Sequence, residues 1–405
     1  MKRPPFPQAN PMNDSSHEPS TRVHAPKSIT GRAAAWVAYG AILTGATAFA
    51  SLSAGSEASG GRGPVLRFER STTMGASLTL AEEHSLEMGG LVLEVGDADP
   101  VSSSVKLHVW SGVLSYLVDE IDPQTGLLCR RYDRSKGVIQ SGQIDESGQE
   151  YRGPEMPLVS PLEDIGVAFT PKSSAPAGFA RHYDSSKALN ETLLPRLAPP
   201  RDWGTLLPPL GADGVPKRVE LGAEWDVAPA ALACALSPTG DLLMEGGEGM
   251  EPRMLRAYLN GVGGSLHLGF EGIVDGTAKA RFVQQGADPD DGNFADIEID
   301  FDIALSVDRG EFIKENRAIA LEDLDGELLA VDLEQSFRGK VKLRWSLDSN
   351  GPISCATDCD ESVIMAVQLA GVDGTASRQT VTMIGDLNVA VAFQPVPLRR
   401  SARAQ

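Results

Sequence analysis

The clearest pattern in this chain is the alternation of apolar and charged residues from Asp296 to Asp308. Every second position is apolar, and carboxylates fill most of the positions between them. The apolar positions are Ile297, Ile299, Phe301, Ile303, Leu305 and Val307, and the acidic ones are Asp296, Glu298, Asp300 and Asp302. Because successive side chains of a strand point to opposite faces, the segment predicts a long strand with one apolar and one acidic face.

Two other segments alternate basic residues with apolar ones in the same way. The first contains Lys340, Lys342 and Arg344, and the second contains Lys279 and Arg281. Opposite charges on paired strands contribute roughly 0.2–1 kcal/mol, and like charges cost as much. We therefore predict that the two basic strands flank the acidic strand.

Further segments with a period of two predict that strands dominate the chain. They lie at residues 65–71, 77–81, 86–95, 105–110, 266–270, 328–333, 362–369 and 380–393. Residues 113–121 fit a short helix or a strand equally well. The predicted fold class is mainly β, with long antiparallel amphipathic strands forming curved sheets, a sandwich or an open barrel, and one or two short helices.

Prolines interrupt every run between about residues 140 and 218. This spacing excludes long helices and central strands, so the region is predicted to be an irregular cover or a linker. Short helices are predicted at residues 184–194, after a serine cap, and at residues 251–259, between Pro252 and Gly261.

The segment Ala33–Ser56 has no charged residue and follows a leader with five basic and two acidic residues. Small residues dominate it, which favours a cleaved signal peptide over a retained single transmembrane helix. The Ala48–Ala50 motif places the cleavage after Ala50. No cysteine precedes Cys129, which disfavours a lipid anchor.

The resulting organisation has six parts. They are a basic, disordered leader (1–32), the signal or membrane segment (33–56), a flexible stalk (57–64), a β-rich half with a proline-rich irregular region (65–200), a second β-rich half (201–395) and a disordered tail (396–405). We expect an exported protein, periplasmic or on the cell surface, that meets the membrane only through its N-terminal segment. The formal charge of −19 opposes binding to nucleic acids.

Four cysteines suggest disulfides in an oxidising compartment. Cys355 and Cys359 lie in a turn-rich sequence and are predicted to form a small bridged loop, with Cys129 and Cys234 as the pair that remains. A zinc site is disfavoured because no histidine lies close to Cys355 in the sequence.

An acidic turn is a weak candidate for binding calcium. Its hard oxygen ligands would be Asp288, Asp290, Asp291 and Asn293. The spacing does not match an EF-hand loop, and a solvated Asp-Gly hairpin turn is the favoured interpretation.

The sequence contains no catalytic signature. The part after the signal segment has four histidines, His84, His108, His182 and His267, and no nucleophile elbow, P-loop or dinucleotide fingerprint. His108 and His267 are predicted to face away from the apolar side of their strands, and His182 is predicted to make ordinary loop hydrogen bonds. No catalytic residue and no cofactor is predicted.

One stretch resembles a known family. A proline-bearing phrase, Leu206–Leu210, precedes a Gly-x-x-Trp turn formed by Gly222 and Trp225, and long alternating strands follow. Over about residues 200–345 this order resembles an exported bacterial β-rich family of unknown function. The resemblance implies a second β-rich half and no particular chemistry.

Two functional classes follow from these observations. The favoured one is a non-catalytic cell-envelope protein that binds an apolar or lipid ligand, or a protein partner, on a curved β-sheet. The alternative is an exported hydrolase whose catalytic residues are dispersed in the sequence. A cavity would favour the first class, and a cluster around a histidine or an acid pair would favour the second.

Overall fold

The computed structural model is dominated by antiparallel strands. It describes residues 65–68, 75–103, 106–122, 125–145, 147–169, 180–182, 197, 200, 202–238, 244–246, 273–308, 327–371 and 374–395. The predicted signal segment, the helices at 184–194 and 251–259, and the tail lie outside these residues. Within the described ranges we find no helix with the length and apolar character needed to cross a membrane.

Seventeen strands are described. They are β1 Val65–Arg67, β2 Gly75–Val95, β3 Val101–Ser103, β4 Leu107–Ile121, β5 Leu128–Ile144, β6 Glu150–Arg152, β7 Met156–Val159, β8 Ile165–Phe169, β9 Ala180–His182, β10 Arg218–Glu220, β11 Glu224–Asp226, β12 Glu245–Gly246, β13 Ile273–Asp288, β14 Gly292–Asp308, β15 Glu327–Ser346, β16 Gly351–Ala370 and β17 Ala376–Pro395. The one described α-helix, α1, is Ala233–Leu236, and 3-10 helices span Trp203–Leu206 and Pro229–Leu232.

Fifteen of these strands form a single sheet. Its main path runs β11-β13-β14-β15-β16-β17-β2-β4-β5-β7-β12, with β3, β6, β8 and β9 attached to its sides. Every pairing in this sheet is antiparallel, which confirms the predicted mainly-β class. Strand β17 pairs with β2, so the segments before and after residue 200 contribute to one sheet.

The acidic strand lies between the two basic strands, as its charge pattern predicts. In the register of β13, β14 and β15, Asp300 is opposite both Lys279 and Lys340. Lys340 Nζ lies 3.0 Å from Asp300 Oδ1. Glu298 is likewise opposite Arg281, whose Nη2 lies 3.3 Å from its Oε2. Cross-strand ion pairs therefore help to fix the register of this part of the sheet.

The two faces of the sheet differ in burial. The core face carries the buried alternate residues, such as Ile299 on β14, Val341 on β15 and Leu387 on β17, and the solvent face carries the charged ones between them. The helical segments at residues 203–206 and 229–236 pack on the core face. Trp203 contacts Phe393 edge to face, and Thr357 Oγ1 donates a hydrogen bond to Ala235 O at 3.0 Å. The chain itself thus covers this part of the core face.

The structure corrects the interpretation of the proline-rich region. Strands β6, β7 and β8 lie there, and all three pair with β5. Pro157 sits within β7, opposite Val138. Each of these strands is only three to five residues long, so the prolines interrupt the strands without removing them from the sheet. The ambiguous segment 113–121 belongs to strand β4.

Candidate functional site

A row of polar side chains crosses the core face of the sheet. Glu82 and His84 lie on β2, Glu361 on β16 and Gln335 on β15, and all four are at most 3% exposed. His84 Nε2 lies 2.7 Å from Glu82 Oε1, and its Nδ1 lies 3.2 Å from Glu361 Oε2. We call these four residues the polar belt. Buried charges are costly unless they are paired, and here the imidazole is paired on both sides.

A glycine on the strand between β2 and β16 allows Glu361 to reach His84. Strand β17 lies between β2 and β16, and Gly385 is the residue directly opposite both Glu361 and Leu86. A Cβ atom at Gly385 would overlap the backbone of Ser85 and Leu86. Only glycine therefore permits this close strand approach, and the Glu361 side chain reaches over it to His84.

The belt holds a charged histidine. Both ring nitrogens face carboxylate oxygens, and only the imidazolium can donate from both. Burial lowers the pKa of His84, but the hydrogen bonds and charges of Glu361 and Glu82 outweigh it and raise the pKa to about 10. With both nitrogens occupied and 2% of the residue exposed, His84 is placed for structure and not for proton exchange with a substrate.

Beyond the belt, the core face becomes apolar again. One complete cross-strand row consists of Leu333 on β15, Met365 on β16, Val381 on β17 and Leu91 on β2. This row adjoins three further buried residues and two further half-buried ones. The name distal patch is used for these residues together, namely Leu86, Met88, Leu91, Val109, Leu333, Val363, Met365, Val381 and Met383.

The distal patch is less completely covered than the main core. Met88, Leu91, Met365 and Val381 are half-buried. The same face continues to Leu93, which is 41% exposed, and to the apolar residue opposite it on β3, Val101, which is 65% exposed. Contiguous apolar surface of this kind marks interaction sites more often than scattered exposed residues do.

The acidic turn has protein partners for its polar groups. Asp288 Oδ1 accepts hydrogen bonds from the backbone of Asp290 and Asp291, as a turn-capping side chain does. Asp291 also accepts from Arg344 Nη1 at 2.9 Å, and Asn293 pairs with Asp348. Among the described residues, no three His, Cys, Asp or Glu side chains are grouped so that they could hold a metal ion.

The predicted bridge between Cys355 and Cys359 is not present in the structure, where both are free, buried cysteines. Both lie on the core face of β16, a continuous strand, and not in a turn. Four residues of extended chain separate their Cα atoms by about 13 Å, whereas a disulfide requires less than about 7 Å. Cys129 on β5 and Cys234 in α1 are also buried thiols. The turn signal belongs instead to the β15–β16 connection, where Asn350 has a positive φ of 56°.

His84 and His108, whose side chains are described, lie on opposite faces of the sheet. His108 lies on the solvent face of β4, as predicted, with 18% of its side chain exposed. His267 and the residues that follow His182 lie outside the described residues. His84 was missed as a site residue, although one signal was present: Leu80, Glu82, His84 and Leu86 share one face of a strand, so two ionisable side chains interrupt an apolar series.

Comparison with known proteins assigns no family. No family model and no curated protein matches the chain. Among solved structures it is similar to Pseudomonas aeruginosa OccK7 (OpdD), at 8% identity over 80% of this chain and 100% of that chain, with a TM-score of 0.19. It is also similar to the InvG secretin domain beta-barrel from the Salmonella SPI-1 injectisome NC-base, at 8% identity over 82% and 66%, with a TM-score of 0.13.

These scores establish neither a shared fold nor a function. The resemblance of residues 200–345 to an exported family therefore stands only as a general β-rich likeness.

Proposed function

We propose that this is an exported binding protein that holds an apolar, lipid-like ligand against the distal patch. The observation that carries the proposal is the uninterrupted apolar row from Leu333 through Met365 and Val381 to Leu91, with three of its four residues half-buried. Export rests on the uncharged segment at residues 33–56, which follows a basic leader.

The two ends of the core face offer different environments to a ligand. Toward β11, the helical segments at residues 203–206 and 229–236 already occupy the face, with Leu206, Leu232 and Leu236 fully buried. Toward the distal patch, exposure rises along β2 from 0% at Leu86 to 41% at Leu93. A ligand that approaches the core face from solvent would therefore meet the distal patch first, and the polar belt would mark the limit of its apolar contact.

The side chains of the patch favour aliphatic ligands over aromatic or sugar ligands. The patch is made of leucine, valine and methionine, and aromatic side chains, which form the stacking platforms for sugars, are not among its members. Met88, Met365 and Met383 contribute unbranched, polarizable side chains that adapt to irregular apolar shapes. A flexible acyl chain fits this surface best.

Direct binding of a fluorescent fatty acid tests the proposal. We expect cis-parinaric acid to bind the purified protein saturably, and Val381→Asp to weaken that binding at least tenfold, because a carboxylate in an apolar contact loses hydration without a partner. Ile384→Asp is the matched control, since Ile384 lies on the solvent face of the same strand and is 57% exposed.

Melting temperatures of both variants establish that they fold. Absence of saturable binding to the wild-type protein, or an equal loss in the Val381 and Ile384 variants, would contradict the proposal. Organic extraction of the natively purified protein supplies a second readout, because a co-purified lipid should be present in the wild type and depleted in Val381→Asp.

A further inference from the structure

Three side chains form a hydrogen-bonded chain on the solvent face, opposite the polar belt. Ser85 lies on β2, His108 on β4 and Glu150 on β6. Ser85 Oγ lies 2.6 Å from His108 Nε2, and His108 Nδ1 lies 2.8 Å from Glu150 Oε1. These are the distances that a serine nucleophile, its general base and an orienting carboxylate require.

The sheet register brings the three groups together. Ser85 is opposite Trp110, and His108 lies two residues before Trp110 on the same face of β4. The residue opposite His108 on β5 is Gly142. A Cβ atom at Gly142 would lie 3.0 Å from Tyr151 O and 3.5 Å from Glu150 Oε1. The missing side chain thus leaves room for Glu150 to reach His108 from β6.

The carboxylate is held in its ionised form. Arg152 donates from Nε to Glu150 Oε1 at 3.0 Å and from Nη2 to Oε2 at 3.1 Å. The hydrogen bond from Arg152 and then that from His108 lower the pKa of Glu150. An ionised Glu150 accepts the proton on His108 Nδ1, and this leaves Nε2 of the neutral imidazole to accept from the Ser85 hydroxyl.

We infer that Ser85 is the nucleophile of a second, hydrolytic site that acts on small carboxylic esters. Ser85 Oγ forms a bond to the ester carbonyl carbon while its proton passes to His108 Nε2. The carbon–oxygen bond to the alcohol then breaks, and the alcohol leaves with that proton. Water, deprotonated by His108, attacks the acyl group, releases the carboxylic acid and restores the Ser85 hydroxyl.

The neighbours of Ser85 define the substrate class. Trp110 is opposite Ser85 on β4, and its half-buried indole offers an apolar wall. Asp386 is opposite Ser85 on β17, and Glu87 is opposite His108. Carboxylates at both sides repel anionic substrates. The site therefore suits neutral or cationic esters.

The backbone geometry predicts slow turnover. Ser85 lies in the middle of a ladder, with β17 on one side and β4 on the other. Its own peptide groups are consequently used in the sheet and are not free to stabilise a developing oxyanion. Removal of one oxyanion donor from a serine hydrolase costs about 10²–10³ in rate. Covalent labelling is therefore a more sensitive assay here than turnover.

Reaction of the full-length protein with a fluorophosphonate probe tests the inference. We expect labelling of the peptide that contains Ser85, and loss of that labelling in Ser85→Ala. Ser336→Ala is the matched control, because Ser336 is an exposed serine on the solvent face of β15 and should leave labelling unchanged. The same pattern is expected for the slow hydrolysis of p-nitrophenyl acetate.

Two further variants separate a catalytic arrangement from a structural one. His108→Gln should slow labelling by about 10²–10⁴, the usual contribution of a general base. Glu150→Gln should slow it less and move its pH profile to lower pH, since the imidazolium loses the carboxylate that stabilises it. Unchanged labelling in His108→Gln, labelling that persists in Ser85→Ala, or no labelling of the wild type would each overturn the inference.

Discussion

His84 is the residue whose charge has the largest consequence for the stability of the fold. It lies between Glu82 and Glu361, and both carboxylates are inside the sheet. Removal of one member of a buried ion pair costs more than the pair contributes, because the remaining charge is left without hydration. The histidine therefore allows two acids to remain on the core face, and its pKa links their burial to pH.

Stability should fall as the solution becomes alkaline. The folded pKa of His84 is about 10, against about 6.5 in an unfolded chain. Its contribution is fully present below pH 6.5 and is lost as the pH rises toward 10, at up to about 1.4 kcal/mol per pH unit. Urea midpoints measured from pH 6 to pH 10 check this decline.

Substitution of His84 gives the matching prediction at fixed pH. His84→Gln should destabilise the protein at pH 7 by about 3 kcal/mol, and it should remove most of the alkaline decline. His108→Gln is the control, because His108 is half-buried on the solvent face. An equal loss of stability in the two variants at pH 7 would show that the polar belt has no special role.

At the scale of the element, strand β14 shows how charge fixes a position in the sheet. Its acidic face is enclosed by basic residues of β13 and β15, and the hydrogen bond that Lys340 donates to Asp300 raises the pKa of Lys340. Elsewhere the pairing is less favourable: Asp360 on β16 is directly opposite Asp386 on β17, and both are exposed. Charge reversal at Asp300 and charge reversal at Asp386 should therefore change the stability of the protein in opposite directions.

Asp300→Lys should destabilise the sheet by about 0.5–1 kcal/mol, because it places three cations side by side. Asp386→Lys should leave stability unchanged or raise it, since it replaces a like pair by an opposite one. Urea unfolding at low and high salt measures both effects, and salt should reduce them because the groups are exposed. The same sign of change in both variants would contradict this account.

The elements differ in how much of them could be predicted from the sequence. The period of two and the charge pattern were sufficient to predict β14 and its neighbours. On an exposed face, the charges of one strand indicate the opposite charges of the strands that pair with it. Segment 113–121 was ambiguous because its apolar residues fit both periods, and pairing with β2 and β5 decides it. Cys355 and Cys359 were misassigned because the turn lies at Asn350, so that both cysteines belong to the strand.

The polar belt and the proposed site formed by Ser85, His108 and Glu150 could not be predicted, because both depend on the register of the strands. His84 and Glu361 are 277 residues apart, and Glu150 is 42 residues from His108. One sequence does not specify which strands become neighbours. The role of Gly142 and Gly385, which is to leave room between paired strands, can be recognised only once those neighbours are known.

At the scale of the whole molecule, one sheet joins nearly all the described strands. The four cysteines lie at separate places in the fold. Cys129 is on β5, Cys234 is in α1, and Cys355 and Cys359 are on β16. All four are buried. Burial raises the pKa of Cys355 to about 12 and also raises that of Cys359.

Thiol reactivity can therefore report whether the sheet unfolds as one unit. We expect no reaction with Ellman's reagent in the native protein and four thiols in unreduced, denatured protein. In intermediate urea the four should react with one common rate, because exposure requires global opening. Two thiols in denatured protein would restore the disulfide prediction, and two distinct rates would show that the sheet opens in parts.

The pairing of β2 with β17 has a consequence for how the chain reaches its native state. Strand β2 is formed from residues 75–95, yet its partner on one side is formed from residues 376–395. Such contacts carry a large loop-closure cost and fold slowly. Until the final strand arrives, β2 and β16 each keep an open edge, and open edges recruit other chains. We therefore predict that the pairing of residues 376–395 with β2 is the slow step of folding, and that a chain whose synthesis stops before them aggregates instead of folding.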